Sequence, residues 1–382
     1  MIIIVGGDGF IGWPLALRLS ARGHAVHIID NLVRRQHDCL TQIKSIEERL
    51  EAWFQHSSKR IAFTQLDVSK EYETLVELFK MLQPTTIIHL GEQRSAPYSM
   101  KNQDTRRYTV QNNLLGTHNI LNAILDTNPQ IHLVHIGSMG VYGYGVIPDT
   151  VVPEGNIHVQ IKNQQGESIV TEIPHPTFPG SVYHMTKSQD ALFFQFYAKN
   201  YKLRITDLHQ GIVWGAETRE TALNTALVNR FDYDSDYGTV LNRFMIQVVY
   251  GLPLTVYGTG HQTRAFINIE NSLDCIELAV QNPPTKDGQV KIFNQVTETH
   301  TLIDLATLVQ ATFPETKVNF LPNPRNEQPS NHLQVANKQF LDLGLQPVRV
   351  SADELIKLRD FILKNKTTIN ENRIPPISFW NV

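Results

Sequence analysis

The chain opens Met1-Ile2-Ile3-Ile4-Val5-Gly6-Gly7-Asp8-Gly9-Phe10-Ile11-Gly12, and the fold follows from how that stretch has to be built. Ile2 to Val5 is a short apolar, β-branched run that reads as a buried strand. Leu15, Leu17 and Leu19 then continue as a helix, so the glycines at 6, 9 and 12 mark a tight strand-to-helix turn. Such a turn brings bare backbone close to a pyrophosphate at the helix N-terminus. The next strand, Ala25 to Ile29, ends at Asp30, eighteen residues beyond Gly12. A carboxylate there accepts both ribose hydroxyls of an adenosine and repels a 2′-phosphate, which favours NAD over NADP. The expected fold is therefore a doubly wound α/β sheet of parallel strands. Gly6, Gly9, Phe10, Ile11, Gly12, Asp30 and Asn31 are its first cofactor contacts, with Arg34 and Arg35 over the adenine or in solvent.

Working outward, Leu40, Ile43, Ile46, Leu50, Trp53 and Phe54 repeat at helical spacing and predict a helical insertion over 38–58. A third strand from Ile61 to Leu66 leads to Asp67 and Val68, placed to meet the adenine. A fourth, Thr85 to Leu90, runs into the loop Gly91-Glu92-Gln93-Arg94-Ser95, where Leu90 borders the cofactor and Arg94 is a candidate sugar or anion contact. Thr109 to Leu125 reads as a long helix with Asn113 facing its neighbours and the cofactor. A fifth strand, Ile131 to Ile136, delivers Ser138. Residues 152–174 alternate apolar and polar about an Asn163-Gln164-Gln165-Gly166 turn and predict a β-hairpin inserted over the site. A sixth strand from Leu203 to Leu208 leads to Gln210 and to Val213, a further expected cofactor contact. Beyond it the alternation becomes irregular, which divides the chain into a dinucleotide-binding domain over 1–210 and an interleaved substrate lobe over 211–382. Pro375-Pro376 begins an extended tail.

Composition narrows the classes. Of the 382 residues 41% are hydrophobic and 19% charged, an ordinary globular mixture. A formal charge of −3 leaves no footprint for nucleic acid or an anionic membrane. The two cysteines, Cys39 and Cys275, cannot form a disulfide framework or a zinc site, and no metal is expected. No run of roughly 18 apolar residues suggests a membrane span. These features point to a cytoplasmic, reducing-compartment protein.

Chemistry is concentrated in Gly180-Ser181-Val182-Tyr183-His184-Met185-Thr186-Lys187. Tyr183 and Lys187 stand one helical turn apart on the same face. A phenol near pKa 10 is a poor base, and a neighbouring ammonium favours its phenolate. Such a pair can take a carbinol proton while hydride leaves for a nicotinamide, with Ser138 hydrogen-bonding the reacting hydroxyl. Neither side chain reads as core, so Tyr183→Phe and Lys187→Met are expected to leave stability unchanged.

The glycine fingerprint, Asp30, Ser138, Tyr183 and Lys187, in this order, resemble the extended short-chain dehydrogenase/reductase superfamily. Longer strings resemble its UDP-sulfoquinovose synthase branch: Asp30-Asn31-Leu32-Val33-Arg34-Arg35, Gly91-Glu92-Gln93-Arg94-Ser95-Ala96-Pro97-Tyr98-Ser99-Met100, Phe231-Asp232-Tyr233-Asp234, Leu241-Asn242-Arg243-Phe244, Leu254-Thr255-Val256-Tyr257-Gly258 and Pro322-Asn323-Pro324-Arg325. The resemblance covers nearly the whole chain. It implies an NAD-dependent enzyme, a homodimer, that acts on a UDP-sugar, UDP-glucose with sulfite, through a 4-keto intermediate. It further implies that His184 is an acid or base of the elimination and that Arg264 and Arg325 clamp the diphosphate. Gln210, Thr239, Asn242, Arg243, Thr255, Tyr257 and Gln262 would complete the sugar and uridine pocket. The chain departs from the family at Val141, where the pattern carries glutamate, and at Thr177-Phe178-Pro179-Gly180, where it carries Lys-Gln-Ala-Ser. The alternatives are a UDP-sugar 4-epimerase, a 5,6-dehydratase that stops before sulfite addition, and a non-catalytic sensor of NAD and nucleotide sugar.

Overall fold

In the computed structural model, residues 1–37, 39–143, 150–286, 288–325, 327–366, 373–374 and 380 are described. The first half alternates as expected. It runs β1 (Ile2–Val5), α1 (Gly12–Ala21), β2 (Val26–Asp30), α2 (Ile46–Ser57), β3 (Ile61–Gln65), α3 (Tyr72–Leu82) and β4 (Thr86–His89), then the single turn α4 (Ala96–Ser99), α5 (Gln103–Thr127), β5 (His132–Ser138) and, after the hairpin, α6 (Val182–Tyr201). β1 and β4 are buried at every position, as strands covered by helices on both faces must be. Helix ends are set by local chemistry: Ser45 and Glu48 cap α2 reciprocally, Asn102 caps α5 and Ser181 caps α6.

The seven strands of the main sheet are all parallel. Their order is Lys291–Gln295, Arg204–Gln210, β5, β4, β1, β2, β3. Chain order reverses between β1 and β4, so the loops leaving those two strands diverge and a crevice opens at their carboxyl ends. Two apolar clusters sandwich the sheet, one under α1 and Ile269–Gln281 and the other under α3, α5 and α6. A third fills the second lobe, where Phe231, Phe244, Phe266 and Phe361 pack together.

Several expectations shift. The main sheet is completed by Lys291–Gln295, and Leu273, Cys275 and Ile276 share a core with Leu15 and Leu17, so the fold of the first 210 residues extends into the second half. In the insertion at 38–58 the helix begins only at Ile46, because Leu40 turns away into the second-lobe core. Asp38 lies outside the described residues, as does the Pro375-Pro376 tail. The hairpin forms as Ile157–Lys162 against Ser168–Ile173, but no residue of it lines either of the two clefts described below, and Ile161, Ile169 and Val170 face solvent. Among the described residues no helix is long and apolar enough to cross a membrane.

Candidate active site

Two adjoining clefts open at the carboxyl edge of the sheet. Gly6, Gly9, Phe10, Ile11, Gly12, Asp30, Asn31, Arg34, Asp67, Val68 and Leu90 all line the first. The turn is compressed in a way only glycine permits: a Cβ on Gly12 would lie 2.2 Å from the Gly6 carbonyl oxygen, and Gly6 itself holds φ +81°. The Asp30 carboxylate accepts from the backbone N–H groups of Asp8 at 2.9 Å and Leu32 at 2.7 Å. Burial, then the nearby Asp8 charge, push its pKa up to about 6, so further hydrogen-bond donors there would be stabilising. A ribose diol supplies two such donors, and the glycine turn leaves room for the diphosphate, so the residues fit NAD. Arg34 lies 3.4 Å over the Tyr237 ring and pairs with Asp232 at 2.9 Å. Arg35 instead belongs to the scaffold, held with Arg49 on Asp8 at 2.7 Å.

The second cleft is lined by Ser138, His184, Gln210, Val213, Thr239, Arg243, Thr255, Tyr257, Gln262, Arg264 and Arg325. Ser138 and Gln210 arrive as register partners at the ends of neighbouring strands. The Ser138 oxygen accepts from the Gly140 N–H at 3.1 Å, leaving its own proton to donate into the cleft. Four guanidinium groups, Arg94, Arg243, Arg264 and Arg325, give this cleft the character of an anion site. Arg264 is held by the Glu327 carboxylate and the Thr263 carbonyl. Tyr183, Arg94 and Gln210 line both clefts, so the phenol stands at their junction.

Three assigned positions lie elsewhere. Asn113 touches neither cleft: its fully buried amide pins the β4 loop through Gln93 and bonds Thr186. Asn242 is likewise spent on both backbone groups of Gly215. Val213, read as a cofactor contact, lines the second cleft and not the first. Val141 packs among Met139, Tyr142, Val152, Ala265 and Leu333 and lines neither cleft, so the departure from the family falls behind the wall.

Lys187 corrects the reading that it lies outside the core. It is only 5% exposed, and its ammonium is 2.8 Å from Glu92 Oε2 and donates to the Ile136 carbonyl at 2.6 Å. Burial opposes its charge, but Glu92, Tyr183 and Asp190 outweigh burial and raise its pKa. Behind it stand groups the sequence reading did not assign: His135, Asp207, Asp190 and His89. A clue was available in Glu92 itself, a charged residue placed at the end of an apolar strand. His184, on the next residue to Tyr183, packs so tightly on Gly140 that a Cβ there would meet its Nε2 at 2.1 Å. Its Nδ1 lies 3.0 Å from the Ser181 hydroxyl. Burial, then Arg325 and Arg264, pull its pKa down to about 3, so the ring is neutral at neutral pH.

Comparison with known proteins fits this architecture. The model of the NAD dependent epimerase/dehydratase family matches residues 2–294. The chain is 39% identical to the chloroplastic UDP-sulfoquinovose synthase of Spinacia oleracea, over 99% of this chain and 79% of that protein. It is 37% identical to the UDP-sulfoquinovose synthase of Sulfolobus acidocaldarius, over 99% and 97%. The fold is shared with the UDP-glucose 4-epimerase of Thermus thermophilus in complex with NAD, at TM-score 0.65 and 20% identity over 95% of this chain and 98% of that one. The UDP-glucuronic acid 4-epimerase of Bacillus cereus superposes with TM-score 0.67 and 21% identity, over 95% and 99%. By the reach of these matches, the chain belongs to the NAD dependent epimerase/dehydratase family of enzymes and is similar to UDP-sulfoquinovose synthases over 99% of its residues.

Proposed function

We propose that this enzyme converts UDP-glucose and sulfite into the corresponding UDP-sulfosugar through a 4-keto intermediate. The observation that carries the reading is the place of Tyr183, common to both clefts and backed by a buried lysine one turn away. The sulfite step rests on the likeness to two UDP-sulfoquinovose synthases over 99% of this chain. The glycine turn and Asp30 would hold NAD, which would supply a hydride acceptor for C4 and a hydride donor for closing the cycle. Tyr183, as phenolate, takes the O4 proton, and the Ser138 hydroxyl donates to the same oxygen. The 4-ketone acidifies C5–H, and His184, neutral and adjacent, accepts that proton. Because an imidazolium is disfavoured there, the ring passes the proton on to the departing C6 hydroxyl, which leaves as water. Sulfur of hydrogen sulfite then bonds to C6 while its proton goes to C5, and Tyr183 returns its proton to O4. Protons balance without a carboxylate at position 141.

A 4-epimerase is the second reading. It is favoured by one observation: among the described residues, the carboxylates lining the sugar cleft, Asp236 and Glu327, are engaged by Lys101 and Arg264. Mass spectrometry after incubation with UDP-glucose, with and without sulfite, separates the readings. A sulfonate mass gain supports the synthase, and an isomer of unchanged mass regardless of sulfite defeats it.

We further propose a homodimer joined through α5 and α6, whose outer faces expose Leu115, Leu192 and Phe196. The two cysteines are free thiols, in keeping with a reducing, cytoplasmic setting.

A further inference from the structure

His89, His135 and Asp207 are neighbours in the parallel register of three adjacent strands, so their side chains share one face of the sheet, under α6. Each His135 ring nitrogen faces a carboxylate: Nδ1 is 2.8 Å from Asp207 Oδ1, and Nε2 is 3.1 Å from Glu92 Oε1. A carboxylate at each nitrogen draws this ring, 0% exposed, toward its imidazolium form, in which both nitrogens donate. The other Asp207 oxygen accepts from His209 Nε2 at 3.0 Å, and His209 in turn meets the Tyr142 hydroxyl. The other Glu92 oxygen holds Lys187, whose Nζ also lies 3.1 Å from His135 Nε2. Two carboxylates, one imidazolium and one ammonium thus neutralise one another directly behind the Tyr183–Lys187 pair.

From this arrangement we propose that Glu92 and His135 are opposed positioning residues that set the field of Lys187 on the Tyr183 phenol. Glu92 holds the ammonium in place and tempers its positive charge; His135 restores a positive charge beside it. The remaining groups facing Lys187 do not upset this balance. Burial, then Glu92, disfavour a charge on Asp190 and raise its pKa well above the usual carboxylate value. Burial brings His89 to about 3, so it is neutral, and its Nε2 bonds Thr117. Burial and Lys187 oppose a proton on His135, but Asp207 and Glu92 outweigh them and raise its pKa.

The reasoning gives opposite signs for two substitutions on either side of one lysine. Glu92→Gln keeps the size and hydrogen-bonding reach but removes a negative charge, so Tyr183 should ionise at lower pH. His135→Asn keeps a donor for Asp207 but removes a positive charge, so Tyr183 should ionise at higher pH. Each shift should be about one pH unit, the scale of one charge acting over several ångströms in a partly buried site. The measurement is phenolate absorbance titrated in the NAD-loaded enzyme, with the same titration in a Tyr183→Phe background subtracted. It uses no sugar, so it stands or falls separately from the proposed reaction. Where His135→Asn does not fold, Asp207→Asn replaces it, since losing that carboxylate discharges His135 and moves the titration the same way. Opposed shifts support the proposal. Shifts of one sign, or none in folded variants, overturn it, because a role confined to packing would move both variants alike or neither.

Discussion

Replacing Lys187 by methionine tests what its burial implies for the fold itself. The substitution leaves the Glu92 carboxylate, 3% exposed at its side chain, without the ammonium 2.8 Å away. Breaking a buried pair from one side costs roughly 3 to 5 kcal/mol, because the surviving charge stays desolvated. For a chain of 382 residues this corresponds to a fall in Tm of roughly 4 to 6 °C. The pH dependence carries a second signature. In the native chain burial opposes the Glu92 charge, but Lys187 and His135 overcome it and lower its pKa below the ordinary 4.5. Its contribution to stability is therefore complete above 4.5 and is lost only as pH falls through the depressed folded value. In Lys187→Met the balance reverses: burial dominates, the folded pKa rises above the unfolded one, and the penalty is present at neutral pH. It fades as acidification protonates Glu92, so the gap between the two proteins should narrow toward pH 4. Scanning calorimetry at saturating NAD, across pH 4 to 8 (roughly the span over which Glu92 would titrate in the variant), reads both effects. Adding Glu92→Gln to Lys187→Met should restore most of the lost Tm. A single variant that melts with the wild type at neutral pH, or a double variant no more stable than the single, would refute the reasoning.

Gly9→Ala and Gly12→Ala should separate cofactor binding from folding. A Cβ on Gly9 meets only the Gly6 carbonyl, at 3.2 Å, so that variant should fold normally yet bind NAD about 10- to 100-fold more weakly by equilibrium dialysis, the loss of one charged backbone hydrogen bond. Gly12→Ala drives its Cβ into backbone at 2.2 Å and should lose about 1 to 3 kcal/mol of stability as well. Tyr183→Phe, unlike Lys187→Met, breaks no buried ion pair; it should keep the wild-type Tm while bound NAD is no longer reduced by UDP-glucose, followed by nicotinamide absorbance. Leu192→Glu with Phe196→Glu should convert a dimer to monomer in analytical ultracentrifugation, and an unchanged sedimentation coefficient would remove the proposed interface.

The sequence by itself determined the features that depend on neighbours a few residues apart. The glycines at 6, 9 and 12, with an apolar strand before them and Asp30 after, specify the cofactor turn whatever the rest of the chain does. Tyr183 and Lys187 share a face because a helix repeats every 3.6 residues. Tertiary structure decided what those residues rest on. His135 and Asp207 are 72 positions apart, and no local periodicity brings them together; only the register of two parallel strands does. Packing of α6 against the loop after β4 buries Lys187 against Glu92, turning a lysine that did not read as core into one whose charge the fold must balance. Asn113 reads as facing the cofactor from its helix and Asn242 is implied by the resemblance, yet the loops beside them carry backbone groups that need partners, and the amides go there. Val141 stands where the family pattern carries glutamate; the short helical turn after Ser138 points it backward into an apolar cluster, where valine is the stabilising choice. Spacing along the chain fixes which groups are available, while packing between distant segments fixes their charge, because burial and counter-ions are properties of three-dimensional neighbours.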